Sequence, residues 1–500
     1  MLLARFLLRA VPLLALARAV RVRREIRSLP EAERAAVFAA LTVMKNTSQA
    51  DGEARFGPDF VNYEAFVVKH AHCATHPRCD QGHYGPAFAT YHRAFNLLME
   101  RSLLSVDPGI EALPYWDYNL DLERYADPRD SEVWTASYFG ENEGDPADGY
   151  MIRDGPFAAW RVHADARALS PGLGNAFNML RGPTNLQAAP RLTRASSICG
   201  RPTPTTFSLA NWTTCLQTPA TFDAFFDCID AGARARARAP TPRARRLPRV
   251  FHRPLANQAE PLRPSCPRAR AGMGGVHSFA HRWLGGAWGA ADGNCAAKQD
   301  GPSIADTLSG CMVCPTDCDA ANASSAAACA CARDDAACAR ARDTGVCQRY
   351  PGGDGHAWDP AGPCAQCGDA CADGELGANG DFWDGCTSPN DPVFWFHHPN
   401  VDRLFMEWQL LHANATATPL PHSGFPTAGH CPGHTLGDVI ADTDPFVGAL
   451  LGRDGLAASL PLTNADVLAA TTPLGTAPYT YDTLVGAREP TLPFKRRARA

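Results

Sequence analysis

The sequence predicts a mainly α-helical fold in which a four-helix bundle surrounds a dinuclear metal site, with long loops and a Cys-rich insertion. Histidines recur inside apolar segments that otherwise carry helical character. His277 and His281 are spaced i, i+4, so they share one face of a helix, one turn apart. Helices that direct histidines inward are a recognised way to bury a pair of metal ions.

The first group of histidines comprises His70, His83 and His92. His70 ends an apolar run that reads as a helix, and His92 opens a second run without a breaker. Gly and Pro residues surround His83, which therefore belongs to the loop before the second helix. His72 and His76 compete with His70, but the apolar context favours His70.

The second group comprises His277, His281 and a histidine from the adjacent pair His397 and His398, inside the segment Val393–Leu411. That segment reads as one unbroken helix. Adjacent residues lie about 100° apart on a helix, so both members of the pair cannot point at one metal ion.

Six imidazoles in two groups of three suit two copper ions. Imidazole binds copper, iron, nickel and zinc, and copper binds most tightly in the divalent series. Neither group contains a thiolate or a carboxylate at ligand spacing, which argues against a structural zinc site.

At these residues the chain resembles the type 3 copper family of tyrosinases, catechol oxidases and molluscan-type hemocyanins. The family's first motif continues after its third histidine with Arg and then Glu, and its second motif contains Asn-Asp-Pro before a His-His pair. The supporting matches are Arg93, Glu100, Pro114–Tyr118, Gly155–Phe157, Gly285–Gly286, Asn390–Pro392 and Tyr479–Asp482.

This resemblance implies a tyrosinase-like bundle in which His398, rather than His397, completes the second ligand set. It implies that two copper ions oxidise o-diphenols (catechols) to o-quinones with O₂, and that monophenols are a further substrate class for ortho-hydroxylation. Asp402, one turn after His398, is a candidate to accept the ring's other N–H and fix its tautomer. An ordinary solvated carboxylate is the alternative for Asp402.

The chain departs from the family pattern at three positions. Ser278 follows the first histidine of the second motif, where many tyrosinases carry an Asn that helps hold a phenol-deprotonating water. We therefore expect weak or lagging monophenol activity. Gly385 replaces a side chain that covers the substrate in some relatives, which leaves that side open. Gln81 replaces a Cys that forms a thioether in others, so no thioether is expected.

Two other functions remain open. An O₂ carrier of the hemocyanin type has the same copper site with blocked substrate access, but a single unit without internal repeats favours an enzyme. A catalytically silent, secreted relative that binds zinc is the second alternative, and the presence of all six ligands argues against it.

Composition points to an oxidising compartment. Nineteen cysteines, twelve of them between Cys295 and Cys386, are too many for an ordinary cytosolic enzyme. Cys73 and Cys79 are expected to form disulfides. A net charge of −5 predicts no nucleic-acid partner and no strong attraction to a membrane surface. We expect secretion or an endomembrane lumen, supported by the sequons at Asn46, Asn211, Asn322 and Asn414.

Residues 1–19 resemble a signal peptide, with an Arg-rich transit peptide as the rival interpretation. A capping box at Ser28–Glu31 is expected to open a helix that runs through Met44. No later apolar run reaches membrane-spanning length.

The copper domain is expected over residues 20–485, with a short tail at 486–500 and no separate C-terminal shielding domain. Two segments interrupt it. Residues 231–272 are rich in Arg, Pro and Ala and predict an irregular loop, a basic patch or a gene-model artefact. Residues 295–386 predict a disulfide-stapled module, whose two ends must lie close together if His281 and His398 are to reach one metal ion.

Overall fold

The structure is a computed structural model. It describes residues 20–74, 82–83, 85–162, 189–198, 201–202, 209–217, 222–226, 228–229, 275–288, 312–313, 332–333, 336, 378–383, 387–412, 425–427, 433–440, 463–471 and 478–484.

Helices dominate these residues, and the prediction of a mainly α fold is confirmed. In chain order they are α1 (Glu31–Asn46), α2 (Gln49–Phe56), α3 (Tyr63–Ala74), α4 (Ala87–Val106), α5 (Tyr118–Arg124), α6 (Leu209–Leu216), α7 (Phe222–Phe226), α8 (Val276–Gly285), α9 (Phe394–Leu411) and α10 (Asn464–Ala470). No helix in this described part of the chain combines the length and apolarity that crossing a membrane requires.

Helices α4 and α9 form the centre of the molecule. Their apolar side chains are almost entirely buried, and they pack against each other and against α1, α6, α8 and α10. The expected unbroken helix at Val393–Leu411 contains Pro399, which lies inside α9 and cannot donate to the carbonyl four residues earlier. Near this position the Phe396 carbonyl accepts a hydrogen bond from the Trp116 N–H at 2.9 Å.

The predicted capping box at the start of α1 is wrong. The helix begins at Glu31 with Pro30 at its N-cap and no side-chain cap. The Ser28 hydroxyl instead donates to the Glu25 carbonyl at 2.7 Å, because residues Ile26–Ser28 form a short 3₁₀ helix of their own.

The strands are short and act as ties. Strand β1 (Arg21–Arg23) pairs in parallel with β8 (Tyr479–Tyr481), which joins the first and last described segments. A four-stranded sheet has the order β3-β2-β4-β7, from β2 (Ser197–Ile198), β3 (Arg201–Pro202), β4 (Ala287–Trp288) and β7 (Ala378–Asn379). A third pair, β5 (Met312–Val313) with β6 (Ala332–Arg333), is antiparallel.

Strands β4 and β7 bring the two ends of the Cys-rich segment close together, as the sequence requires. They pair antiparallel, with Ala287 opposite Asn379 and Trp288 opposite Ala378. The chain therefore leaves the bundle directly after α8 and returns beside its own exit point. Gly286 makes this turn at φ 54°, where a Cβ would lie 1.7 Å from the Ala195 carbonyl oxygen.

A similar closure lies at the other end of α8. A Cβ at Gly275 would lie 2.3 Å from the Ile229 carbonyl carbon and oxygen, so the backbones at 229 and 275 touch. A disulfide between Cys215 and Cys228 holds the same region to α6. We call these two closures stems: one joins residues 229 and 275, and the other pairs β4 with β7. The two stems fix α8 at both of its ends.

Several predictions lie outside the described residues. These are the signal peptide at 1–19, the loop at 231–272, the tail at 486–500, Cys79, Gln81, Gly385, and all twelve cysteines between Cys295 and Cys386.

Candidate metal centre

The first histidine cluster forms where α3, α4 and the loop between them meet. His70, His83 and His92 are each at most 7% exposed, and their ligand atoms lie within 4.8 Å of one another. The Nε2 atoms of His70 and His92 are 3.2 Å apart. Two imidazole nitrogens that share a metal ion at about 2.0–2.1 Å are separated by roughly this distance. His83 lies outside the helices, as predicted.

The second cluster contains four imidazoles. His277, His281, His397 and His398 also place their ligand atoms within 4.8 Å of one another, and all four are buried. The Nε2 atoms of His277 and His281 are 3.0 Å apart, as the i, i+4 spacing on α8 requires. Helix α9 brings both members of its histidine pair to this cluster, so the choice of His398 as the ligand stays a prediction.

The two clusters adjoin. The rings of His92 and His398 stack at 4.1 Å with an interplanar angle of 5°, and the His92 and His277 centroids are 6.3 Å apart. This contact follows from the packing of α4 on α9. The two adjoining clusters therefore fit one dinuclear metal site.

Backbone carbonyls orient two of the rings. The Nδ1 atom of His92 lies 2.8 Å from the Phe88 carbonyl, and the Nδ1 atom of His281 lies 2.8 Å from the Phe382 carbonyl. An Nδ1–H that donates to a carbonyl leaves Nε2 unprotonated and directed at the metal position. Phe382 lies three residues after the end of β7, so the segment that returns from the Cys-rich insertion orients His281.

Burial favours the neutral form of four of these imidazoles. Burial, followed by the neighbouring histidines, places the pKa of His92, His281, His397 and His398 well below the usual value. Neutral imidazole is the form that binds metal, so the site is prepared for ligation at neutral pH.

The predicted contact between Asp402 and His398 is wrong. Neither ring nitrogen of His398 has a hydrogen-bond partner among the described residues. Asp402 Oδ1 accepts from Arg93 Nε at 2.6 Å, and its Oδ2 accepts from the hydroxyls of Tyr481, at 2.7 Å, and Tyr479. The Asp402 carboxylate is occupied by these partners and does not contact His398, because β8 brings the two tyrosines against α9.

Two further buried ion pairs lie next to this network. Arg23 on β1 donates to Glu100 Oε2 at 2.9 Å and lies 3.4 Å from Asp402 Oδ2. Arg403 binds Asp117 at 2.8 Å and the Tyr115 hydroxyl at 3.0 Å. The motif residues outside the histidine clusters therefore connect α4, α9 and the paired strands, and they set the spacing of the ligand helices.

Sequence reasoning missed three features of the centre. His397 was not expected in the cluster. The Phe88 ring lies 4.6 Å from His92 and 4.5 Å from His277, and the Phe394 ring lies 4.1 Å from His398. The sequence could have indicated Phe88, because it precedes His92 by four residues and so lies on the same face of the helix. These rings fill the space around the imidazoles and exclude water.

Other predicted residues are also placed. Ser278 follows His277 on α8 and is half-buried. His412 is half-buried at the end of α9. His434 is 2% exposed and packs against Gly85.

The donor set fits copper. Both clusters are made of buried imidazoles alone, and both ring nitrogens of His397 and of His398 are without a partner among the described residues. A buried polar atom without a partner is costly unless something binds it. The centre therefore belongs to the class of all-histidine dinuclear metal sites.

Comparison with known proteins agrees with this class. The family described as "Common central domain of tyrosinase" matches residues 61–301 and 330–411. The chain belongs to the tyrosinase family.

Relatives resemble parts of the chain. The tyrosinase of Streptomyces antibioticus is 35% identical over 141 residues, which are 28% of this chain and 44% of that protein. A tyrosinase-like protein of Caenorhabditis elegans, tyr-3, is 30% identical over 153 residues, 31% of this chain and 19% of that protein. The matched region thus spans less than half the length of these relatives. A variant of the polyphenol oxidase of Thermothelomyces thermophila is 18% identical with a TM-score of 0.44, covering 92% of this chain and 88% of that one.

Proposed function

We propose that this protein oxidises o-diphenols to o-quinones with O₂ at two copper ions. His70, His83 and His92 would hold the first ion, and His277, His281 and His398 the second. The observation that carries the proposal is the pair of adjoining, buried clusters made only of imidazoles. Bound copper would supply the binding of O₂ and the transfer of electrons from the phenolic substrate.

The protein's own groups prepare the centre. The Phe88 and Phe382 carbonyls hold His92 and His281 in the tautomer that presents Nε2. Burial keeps the rings neutral, so metal binding does not compete with protons near neutral pH. The Phe88 and Phe394 rings exclude water from the space between the clusters. Asp402 is a positioning residue in this scheme, because it contacts Arg93 rather than a ligand.

Oxygen consumption tests the proposal most directly. The wild-type protein, loaded with copper, is expected to consume O₂ with a catechol, and His281→Ala is expected to abolish this because the second ligand set loses one imidazole. His412→Ala is the matched control, since His412 lies at the end of α9 and its Nδ1 is 2.9 Å from the Trp408 carbonyl. Reversible O₂ binding without quinone would indicate a carrier, and zinc in place of two coppers would contradict the proposal.

Ser278 is proposed to weaken the reaction with monophenols. Ser278 directly follows His277 on α8 and is half-buried. A hydroxyl on one carbon reaches less far than an amide, and it is less able to hold a water against a phenol.

The compartment is proposed to be extracellular or luminal. The disulfide between Cys215 and Cys228 requires an oxidising environment to persist, and nineteen cysteines are more than an ordinary cytosolic enzyme carries. Mass spectrometry of the protein exported from its native cells tests this, and a chain retained in the cytosol would contradict it.

A further inference from the structure

Helix α4 begins without a side-chain cap of its own. Its N-cap residue is Pro86, which offers no hydrogen-bonding side chain. The first N–H groups of a helix have no partner within the helix and need one from elsewhere. This helix carries His92 and follows the loop that carries His83, so its first turn fixes two proposed ligands.

His434 supplies the missing cap from a distant part of the chain. Its Nδ1 atom accepts a hydrogen bond from the Ala87 N–H at 3.1 Å. The imidazole lies directly on Gly85, where a Cβ would be 2.2 Å from the same Nδ1 atom. Gly85 is two residues after His83, so the contact reaches the ligand loop itself.

The backbone around His434 is held on both sides. Asp438 Oδ2 accepts from the N–H groups of Gly433 and Thr435, each at 2.9 Å. The Asn464 side-chain amide donates to the Gly433 carbonyl at 2.8 Å and the Thr435 carbonyl at 2.7 Å. Four backbone groups next to His434 are thus fixed by two side chains.

Asn464 also contacts α4 directly. Thr90, one turn into the helix, donates from its hydroxyl to Asn464 Oδ1, and both residues are fully buried. His434 and Asn464 therefore contact α4 at two points, Ala87 and Thr90. A side chain used only to fill space would not need this set of directed bonds.

We propose that His434 is a positioning residue for the first metal site, holding the His83 loop and the start of α4 in register. It acts through Ala87 and Gly85 and not as a ligand. The inference rests on the proposed copper function, since it predicts how tightly the first ion is held. Groups that orient ligands typically contribute 10–100-fold in metal affinity.

The test compares two variants of His434, to Asn and to Gln, whose side-chain amide oxygens lie at different distances from the backbone. In His434→Asn the side-chain oxygen takes nearly the place of Nδ1, whereas His434→Gln places it one bond further out. Copper bound per chain is measured against a competing chelator. We expect two ions for wild type and His434→Asn, and one for His434→Gln, with affinity for the first ion down at least about tenfold. Combining His434→Gln with His281→Ala is expected to remove both.

His412→Gln is the matched control and is expected to retain two ions. Two wild-type-like ions in His434→Gln, or the same loss in both amide variants, would overturn the inference while leaving the copper function intact. A wild-type protein that binds no copper would instead sink the proposed function. If His434→Gln does not fold by circular dichroism, Thr90→Val decides: it is expected to weaken the first site, and unchanged affinity there would overturn the inference.

Discussion

At the scale of single residues, we propose that the residue after His277 influences which phenols react. Ser278→Asn is expected to raise the rate with a monophenol relative to the rate with a catechol, because the longer amide can hold a water near the substrate. The measurement is the ratio of initial O₂ consumption with the two substrates. Arg282→Gln, one turn along the same helix and also half-buried, is the control. An unchanged ratio in Ser278→Asn would refute the role given to this position.

Asp402 is the residue whose role differs most from its sequence interpretation. Asp402→Asn leaves Arg93 and Arg23 without their shared carboxylate in a buried setting. Breaking a buried charge network from one side typically costs about 3–5 kcal/mol, so urea unfolding is expected to show a loss of that size. Glu111→Gln, whose exposed carboxylate lies 3.6 Å from Arg24, should change stability by less than about 1 kcal/mol. Equal stability of Asp402→Asn and wild type would exclude this network as a support.

At the scale of elements, local patterns predicted the ligand helices well. The i, i+4 spacing of His277 and His281 and the apolar runs beside His70 and His92 depend only on neighbours in sequence. These are the positions that the structure brings together.

Contacts between distant segments could not be predicted in this way. Asp402 meets Tyr479 and Arg93 because β8 and α4 pack on α9, and nothing in the sequence next to Asp402 encodes either neighbour. His434 is buried because Gly85 leaves room for its ring. His397 and His398 both reach the second cluster, although neighbours on an ideal helix lie about 100° apart, and Pro399 directly follows the pair.

A substitution at Gly286, in the turn after α8, can test whether the second histidine cluster depends on the β4–β7 pair. Gly286→Ala forces a Cβ to within 1.7 Å of the Ala195 carbonyl oxygen at a positive φ, so β4, together with the paired strand β7, must shift away from the backbone that leads into β2. We expect a loss of about 2 kcal/mol or more and weaker copper binding at the second site, because Phe382 follows β7 and orients His281. Calorimetry and copper titration measure the two effects.

Gly149→Ala provides the matched comparison for that turn. Gly149 also has a positive φ, 77°, but a Cβ there would meet nothing within 4 Å. Only the backbone penalty of about 1–2 kcal/mol should appear, with both copper affinities unchanged. Equal behaviour of the two variants would mean that the stem does not support the second site.

At the scale of the whole molecule, two stems and one strand pair organise the chain. We propose a single copper domain over residues 20–485, because β1 and β8 join its ends and Gly275 and Gly286 close the interruptions on either side of α8.

Crowding so many neutral imidazoles into one core links the stability of the whole molecule to pH. The pKa values of His92, His281, His397 and His398 lie well below 6.5 in the folded state, first because of burial and then because of neighbouring histidines. The unfolded chain takes up protons on these groups near pH 6.5, and the folded chain does not. Stability is therefore fully present above about pH 6.5 and falls below it, by up to about 1.4 kcal/mol per pH unit for each group.

Urea unfolding of the copper-free protein between about pH 5 and pH 7.5 measures this slope. His398→Phe removes one of the four groups and keeps a ring of similar size, so the slope is expected to fall by up to about 1.4 kcal/mol per pH unit. His412→Phe alters a half-buried histidine outside the cluster and should leave the slope close to that of wild type. Identical slopes for wild type and His398→Phe would show that this imidazole is not held neutral, which would remove one reason for expecting tight copper binding at neutral pH.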